Sequence, residues 1–333
     1  MLKKKITGIV LASALALTMA ACGGSADKGG DAKEAASSCK DAKLAYMTVS
    51  TSVPFWRSIA VGAESQGKEE GAQVTTYDSK LSQSTQMKNV QDIITSGADA
   101  IIISPTDSAA AVGVLDKAKA AGVPVVIADV GTDGGEYASY VATDNVAGAA
   151  KAADMMLEAL KEKGITSGEI GMISISQTRQ NGKDRTKGFT EKVEAAGFKM
   201  IPLLESSEYT RSEGLKFTQD LMTAHPNMVG LFTQHDEATL GAVTAIQTAN
   251  AKGKFVLVGF DGSPDTMQAI KDGIVYGASM QQPVLMGVEA VKAACSVITG
   301  KTPEKRINVD TLPISSLNVR DKEAEASKTV FAK

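Results

Sequence analysis

Short apolar runs alternate with amphipathic helical patterns along most of this chain, and this alternation restricts the possible fold more than any other feature. A strand pattern at 44–51 precedes a helical pattern that ends near Gly71, and further strand patterns follow at VTTYDS, AIIIS and VPVVIAD. Apolar runs of this length between helices are typical of βαβ units, in which helices cover both faces of a parallel sheet. The sequence therefore predicts an α/β fold.

The same order of elements returns in the second half of the chain. GEIGMISIS, the helical RTKGFTEKVEAAGF and the strand-like KMIPLLES repeat the first unit, and 227–261 repeats the unit that begins at Ala100. The stretch of about 290 residues after position 42 also exceeds one typical hydrophobic core. We therefore expect two Rossmann-like domains, each with a parallel sheet.

The N-terminus has the pattern of a secretory signal. Three lysines precede a mostly apolar run that ends in small residues before Cys22, which predicts a signal peptide at 1–21. MAAC resembles a bacterial lipobox, which would make Cys22 the lipidated first residue of the mature protein; the alternative is an ordinary signal peptide with a cysteine nearby. The polar stretch that follows predicts a flexible tether over 22–42. We expect an extracytoplasmic protein held at the membrane by its lipid.

Composition argues against several classes of function. Cys39 and Cys295 are expected to form neither a disulfide framework nor a metal site, and the chain has two histidines in all. No metal or cofactor is expected. The net charge of −3 comes without a basic stripe, which argues against nucleic-acid binding. TVSTSVPFW lacks the glycine-rich turn of a dinucleotide site and no Ser–His–Asp set is evident, so we expect a binding protein rather than an enzyme.

Two aspartates follow strands at equivalent places in the repeated units. Asp129 ends VPVVIAD and Asp261 ends FVLVGFD. Ligands of open α/β sheets bind at the carboxyl ends of the strands, although an aspartate there can also cap the following turn. Two such edges that face each other would form a cleft with one carboxylate from each domain.

Several segments in the same order resemble a known family. They are PFW, VQDIITSGADAIIISPTDS, GVPVVIAD, ATDNVAGA, RTKGF, TAHPNMVGLFTQHDEATLGA, VGFDGSPD and QQP. The chain resembles the ribose-type branch of the type I periplasmic sugar-binding proteins, the substrate receptors of ABC importers. The resemblance implies lobes that a hinge of three crossings joins, near Thr143, Gln281 and Asp310. It places the N-terminal lobe at 43–143 plus 282–310 and the C-terminal lobe at 144–281 plus 311–333.

The resemblance also implies which side chains hold a ligand. A sugar needs carboxylates or amides for its hydroxyls, a guanidinium fork and flat apolar faces. We expect the ligand-binding set to be Phe55, Trp56, Asp129, Arg185, Tyr209, His235, Asp261 and Gln281. Arg185 is expected at the start of a helix, where a cation opposes the macrodipole. Phe55 and Trp56 are expected to stack on the ligand from one side and Tyr209 from the other. The alternatives are a solvated arginine, a polar linker glutamine and aromatic rings that pack in the core.

Four residues depart from the ribose-binding pattern. Val53, Ser104, Val130 and His235 stand where the family has polar or basic contacts, so ribose itself is in doubt. We expect a monomer that captures a monosaccharide or related polyol and delivers it to an ABC permease. A chemosensory or signal-molecule receptor would use the same cleft and stays open as an alternative. Sugar-responsive repressors share the fold but need a DNA-binding headpiece, which a signal sequence and tether replace here.

Overall fold

Residues 38–331 are described by the structure, a computed structural model. The predicted signal peptide, Cys22 and the first part of the predicted tether lie outside these residues. No helix within 38–331 is long and apolar enough to cross a membrane.

The first half of the described chain builds one sheet with its covering helices. Its elements are β1 (Lys43–Thr48), α1 (Pro54–Glu70), β2 (Gln73–Asp78), α2 (Gln83–Thr95), β3 (Ala100–Ile103), α3 (Ala110–Ala120), β4 (Val125–Ala128) and β5 (Ser139–Ala142). All four residues of β3 are buried, as expected of a central parallel strand that is covered on both faces.

The chain then builds a second sheet in the same way. Its elements are α4 (Asn145–Glu162), β6 (Glu169–Ser174), α5 (Gln180–Ala195), β7 (Lys199–Met200), β8 (Leu204–Glu205), α6 (Arg211–Ala224), β9 (Gly230–Thr233), α7 (Asp236–Thr248), β10 (Val256–Phe260), α8 (Pro264–Lys271) and β11 (Gly277–Met280).

The last elements return to each sheet in turn. They are α9 (Pro283–Ile298), β12 (Arg306–Asn308), β13 (Leu312–Ser315) and α10 (Val319–Thr329). Helix α9 packs on α1 and on strands β3 to β5, whereas α10 packs on α8 and β13. The chain thus crosses between the sheets after β5, after β11 and after β12.

The strand order is β12-β5-β4-β3-β1-β2 in the first sheet and β13-β11-β10-β9-β6-β7 in the second, with β8 paired to β6. Every neighbouring pair is parallel except β11 and β13. The predicted α/β fold with two parallel sheets is confirmed. We call the elements around the first sheet the first lobe and those around the second sheet the second lobe.

Two glycines allow α1 and α9 to pack closely in the first lobe. A Cβ atom at Gly62 would lie 2.0 Å from the carbonyl oxygen of Val284, and one at Gly287 would lie 2.1 Å from that of Ile59. No larger residue fits at such distances, so these glycines fix the position of α1. That helix carries Phe55 and Trp56 in its first turn.

The prediction for the two cysteines was wrong. Cys39 and Cys295 form a disulfide with their Cα atoms 5.2 Å apart, although 256 residues separate them in the sequence. Cys39 and Ala42 are buried at 4% and 6% exposure, so the chain already packs on the first lobe at Cys39 and the tether does not extend to residue 42. Cysteine spacing cannot reveal a pair that only the tertiary fold brings together.

Candidate functional site

A cavity of about 270 Å³ opens at the carboxyl ends of strands from both sheets. Asp129 directly follows β4 of the first lobe and Asp261 directly follows β10 of the second lobe. The cavity is lined by all of the side chains that the sequence predicted, which are Phe55, Trp56, Asp129, Arg185, Tyr209, His235, Asp261 and Gln281. The structure therefore brings the predicted set together around one space.

The two strand-end aspartates share an unusual backbone conformation. Asp129 has a φ of 70° and Asp261 a φ of 67°, in the left-handed region that few residues other than glycine adopt. Such strain of about 1–3 kcal/mol persists where surrounding contacts impose it, and it concentrates at functional sites. Here it turns both carboxylates from the end of a strand into the cavity.

Each aspartate uses part of its hydrogen-bonding capacity within the protein. Trp56 donates from Nε1 to Asp129 Oδ2 at 3.1 Å, and Gln281 donates from Nε2 to Asp261 Oδ1 at 2.6 Å. Asp129 Oδ1 and Gln281 Oε1 are buried and have no hydrogen-bond partner within residues 38–331. Unpaired buried acceptors are costly, so two such acceptors on residues that line the cavity are suited to ligand hydroxyl groups.

Burial raises the pKa of Asp129 to about 6, although the nearby Arg185 guanidinium and the Trp56 hydrogen bond favour the ionised form. Burial also raises the pKa of Asp261, again against the effect of Arg185. Burial therefore makes ionisation of either carboxyl group cost free energy. Carboxyl groups whose pKa is raised by burial are frequent at binding and catalytic sites.

Arg185 is buried at 2% exposure and is held from three sides. Its Nε donates to Asn145 Oδ1 at 2.8 Å and its Nη1 donates to the Gln234 carbonyl oxygen at 2.6 Å. The guanidinium lies 4.1 Å from the centroid of the Phe260 ring, and Nη1 is 3.9 Å from Asp261 Oδ2. A guanidinium fixed in this way presents a rigid set of donors to the cavity.

The reason given for Arg185 from the sequence was wrong. Helix α5 begins at Gln180, so Arg185 lies in its second turn, and the arginine at the helix start is Arg179. The polar run QNGKDR has no apolar periodicity, and for that reason the sequence pattern placed the helix start too late.

Trp56 belongs both to the core of the first lobe and to the cavity wall. It is 4% exposed and packs in the core cluster with Tyr46 and Ile59, and it also lines the cavity. Its centroid lies 5.8 Å from that of Tyr209 at an interplanar angle of 64°. A sugar between two rings needs about 7 Å, which is two carbon contact distances, so no sugar fits between Trp56 and Tyr209 at this spacing, and stacking by Phe55 stays a prediction. Phe55 also lines the cavity and contacts Trp56 edge-on, with centroids 6.1 Å apart.

His235 lines the cavity with its polar atoms engaged. Its Nδ1 accepts from Ala238 N at 3.3 Å as the cap of α7, so its Nε2 donates to Ser206 Oγ at 3.0 Å. Burial, with Arg185 and Arg179 as smaller causes, lowers the pKa of His235 to about 3. The imidazole is therefore neutral, and it offers the cavity its ring surface.

The other departures from the ribose pattern differ in their position. Val53 lines the cavity. Ser104 and Val130 are buried but are not among the lining residues, and the Ser104 hydroxyl is 3.0 Å from the Tyr46 hydroxyl. Of the three, Val53 is therefore the residue placed to act on a ligand directly.

Sequence reasoning missed several lining residues. Arg179 is 5% exposed and reaches the cavity together with Asn181. Asp236 begins α7, accepts from Thr266 Oγ1 at 2.5 Å, and burial raises its pKa to about 7. The presence of a second arginine in QTRQNGKDR was the available signal for Arg179. Within residues 38–331 no cluster of His, Cys, Asp and Glu side chains forms a metal site.

Comparison with known proteins places the chain in a family. Residues 44–302 match the model of the periplasmic binding protein domain. The chain is 35% identical over 257 residues to the ribose import binding protein of Bacillus subtilis (strain 168), an alignment that covers 77% of this chain and 81% of that protein. The chain belongs to the ribose-type periplasmic binding proteins. Members of this family bind substrates for ABC transporters and are not enzymes, and the same holds for this chain.

Solved structures agree with this assignment. A carbohydrate transporter solute binding protein from Agrobacterium radiobacter in complex with D-arabinose is 26% identical, with a TM-score of 0.82 and coverage of 87% of this chain and 99% of that chain. An ABC transporter solute binding protein from Agrobacterium vitis with bound D-fucose is 25% identical, with a TM-score of 0.80 and coverage of 87% and 100%. The fold of the type I periplasmic binding proteins is thus confirmed.

Proposed function

We propose that this protein captures a neutral monosaccharide or related polyol between its lobes, outside the cytoplasm, and delivers it to an ABC importer. The observation that carries the proposal is the pair of buried acceptors at the cavity wall, Asp129 Oδ1 and Gln281 Oε1, which have no partner among the described residues. Hydroxyl groups of a sugar donate to such acceptors and accept from the guanidinium of Arg185.

The charges around the cavity support a neutral ligand. The carboxyl group of Asp129 lies within electrostatic reach of Arg185 and Arg179, and that of Asp261 within reach of Arg185. The cavity lining holds four arginines and five carboxyl groups, which are Arg57, Arg179, Arg185 and Arg211 and Asp129, Asp236, Glu237, Asp261 and Asp265. The arginines are not in excess over the carboxyl groups, so a phosphate or carboxylate would add a further negative charge without a free partner. The polyhydroxyl character of a sugar suits alternating acceptors and donors of this kind.

The size of the cavity supports a single sugar unit. Its volume of about 270 Å³ lies just below the range of about 300–1,000 Å³ for drug-sized ligands. Relatives and structural neighbours carry the names of D-ribose, D-allose, D-apiose, D-arabinose and D-fucose, all of which are neutral monosaccharides.

Lipid attachment through Cys22 and a flexible link to the first lobe are part of this proposal, supported by the lipobox-like MAAC. The three crossings between the lobes support domain closure around the ligand, with lobe limits near residues 143, 281 and 310. Such a protein would act as a monomer that presents its closed form to the permease.

Isothermal titration calorimetry with the five named sugars tests the proposed ligand class, with D-ribose 5-phosphate and D-gluconate as charged controls. We expect at least one neutral sugar to bind with a stoichiometry of one and both charged compounds to give no binding heat. Tight binding of a charged compound, or heat from none of the neutral sugars, would contradict the proposal.

A further inference from the structure

Arg179 contacts both lobes with one buried side chain. It precedes the first residue of α5 in the second lobe, and its Nε donates to the carbonyl oxygen of Thr106, in the first lobe, at 2.9 Å. The backbone nitrogen of Gln180 donates in the same direction, to Ser108 Oγ at 3.0 Å. These bonds join the start of α5 to the segment that follows β3, so they exist only while the lobes are together.

The guanidinium of Arg179 also packs against aromatic rings from opposite lobes. Its carbon is 5.3 Å from the centroid of Trp56, in the first lobe, and 4.9 Å from that of Tyr209, in the second lobe. Its Nη1 donates to the Tyr209 hydroxyl at 2.8 Å. The cation therefore occupies aromatic surface that was expected to stack on a sugar.

Arg179 is linked to the candidate ligand site through Trp56. The indole that lies against the guanidinium donates from Nε1 to Asp129 Oδ2. A ligand that binds Asp129 Oδ1 holds this carboxylate in place, and the carboxylate holds the indole. The orientation of Trp56 against Arg179 thus depends on the same group that faces the ligand.

Arg179 forms no ion pair with a carboxylate in the described part of the chain, yet it is 5% exposed. Burial of an unpaired cation is unfavourable, so in the closed form its solvation is replaced by the Thr106 carbonyl, the Tyr209 hydroxyl and the ring faces. Opening of the lobes would remove the Thr106 carbonyl and the Trp56 ring from the guanidinium and would admit water.

We propose that Arg179 is a positioning residue that acts as a latch: it holds the two lobes in contact and couples closure of the lobes to ligand binding at Asp129. The inference rests on the proposed function for its ligand-dependent part, because it assumes that a sugar engages Asp129. Its structural part, a cation from the second lobe that binds the first lobe, does not depend on which ligand the cavity holds.

The test compares Arg179→Met, which keeps the apolar stem, and Arg179→Lys, which keeps the charge but loses the planar fork. Arg320→Met, at an exposed position on α10, is the matched control. Small-angle X-ray scattering gives the radius of gyration, and acrylamide quenching reports the exposure of Trp56, the single tryptophan. Both are measured without sugar and during titration with an equimolar mixture of D-ribose, D-allose, D-arabinose and D-fucose.

We expect Arg179→Met to have a larger radius of gyration and stronger quenching than wild type without sugar. It should need about 10- to 100-fold more of the mixture to close, with a faster dissociation rate and an unchanged association rate. Arg179→Lys should fall between wild type and Arg179→Met. If Arg179→Met matches Arg320→Met in scattering, quenching and dissociation rate, the latch is refuted. If the radius of gyration and quenching of wild type do not change with the sugar mixture, the proposed function is contradicted. The measurements without sugar would still test whether Arg179 holds the lobes together.

Discussion

Replacing Asp129 with asparagine should stabilise the unliganded protein while it weakens ligand binding. The carboxyl is 1% exposed, and its pKa is raised from the ordinary value of 3.8 to about 6. Each tenfold change in proton affinity is worth about 1.4 kcal/mol, so ionised Asp129 costs the native state about 3 kcal/mol at neutral pH. A buried amide with unpaired donors costs about 1–2 kcal/mol, which leaves a net gain of about 1–2 kcal/mol for Asp129→Asn.

The sign of the pH dependence follows from the raised pKa. A carboxyl that binds protons more tightly in the native than in the unfolded state favours folding below about pH 4, and this contribution is lost as the pH rises through about 6. The stability advantage of Asp129→Asn should therefore be greatest near neutral pH. It should be about 2 kcal/mol smaller at about pH 4.5 than at about pH 7.5.

Guanidinium denaturation of both proteins at these two pH values, without sugar, measures the effect. Asp133→Asn is the matched control, because Asp133 is an exposed carboxylate in the same loop, and it should change neither stability nor its pH dependence. Binding of the tightest neutral sugar should weaken about 10- to 100-fold in Asp129→Asn, since a charge-assisted hydrogen bond is lost. A stability difference that is equal at both pH values would show that the pKa of Asp129 is not raised in the native state.

Three further expectations follow from the described contacts and from the N-terminal sequence. Emission from Trp56 should change saturably with sugar at the calorimetric Kd, and Trp56→Phe should weaken binding about tenfold or more because Asp129 loses its Nε1 donor; a flat titration would contradict a role at the cavity wall. Cys39→Ser with Cys295→Ser should lower the free energy of unfolding by about 2–4 kcal/mol and leave sugar affinity unchanged, as neither cysteine lines the cavity; unaltered stability in denaturation curves would count against this. Cys22→Ser should release the protein from the membrane fraction or block its processing, and a variant that stays attached as before would exclude the lipid anchor.

Two residues of the cavity were predictable because they sit at positions that the order of strands and helices defines. Alternating apolar runs and helices specify strand ends, and the carboxyl ends of parallel strands meet at one edge. Asp129 and Asp261 follow from this rule alone. The remaining predicted residues came from a family resemblance, and they lie around the same cavity.

Features that depend on tertiary contact were not predictable in this way. The disulfide joins Cys39 to a helix 256 residues later, and its formation depends on how the segment before β1 folds back on α9. The T-shaped contact of Trp56 with Tyr209 and the packing of Arg179 on both rings depend on the distance between the lobes. Arg179 was overlooked because the polar start of α5 concealed the helix boundary that would have identified it.

The most direct test of the account is a crystal structure of the protein with the neutral sugar that binds tightest in calorimetry. We predict the sugar in the cavity between the lobes, with hydroxyl groups within hydrogen-bonding distance of Asp129 Oδ1 and Gln281 Oε1 and with Arg185 as a donor. A sugar bound elsewhere, or one in the cavity that leaves both of these acceptors without a partner, would contradict it.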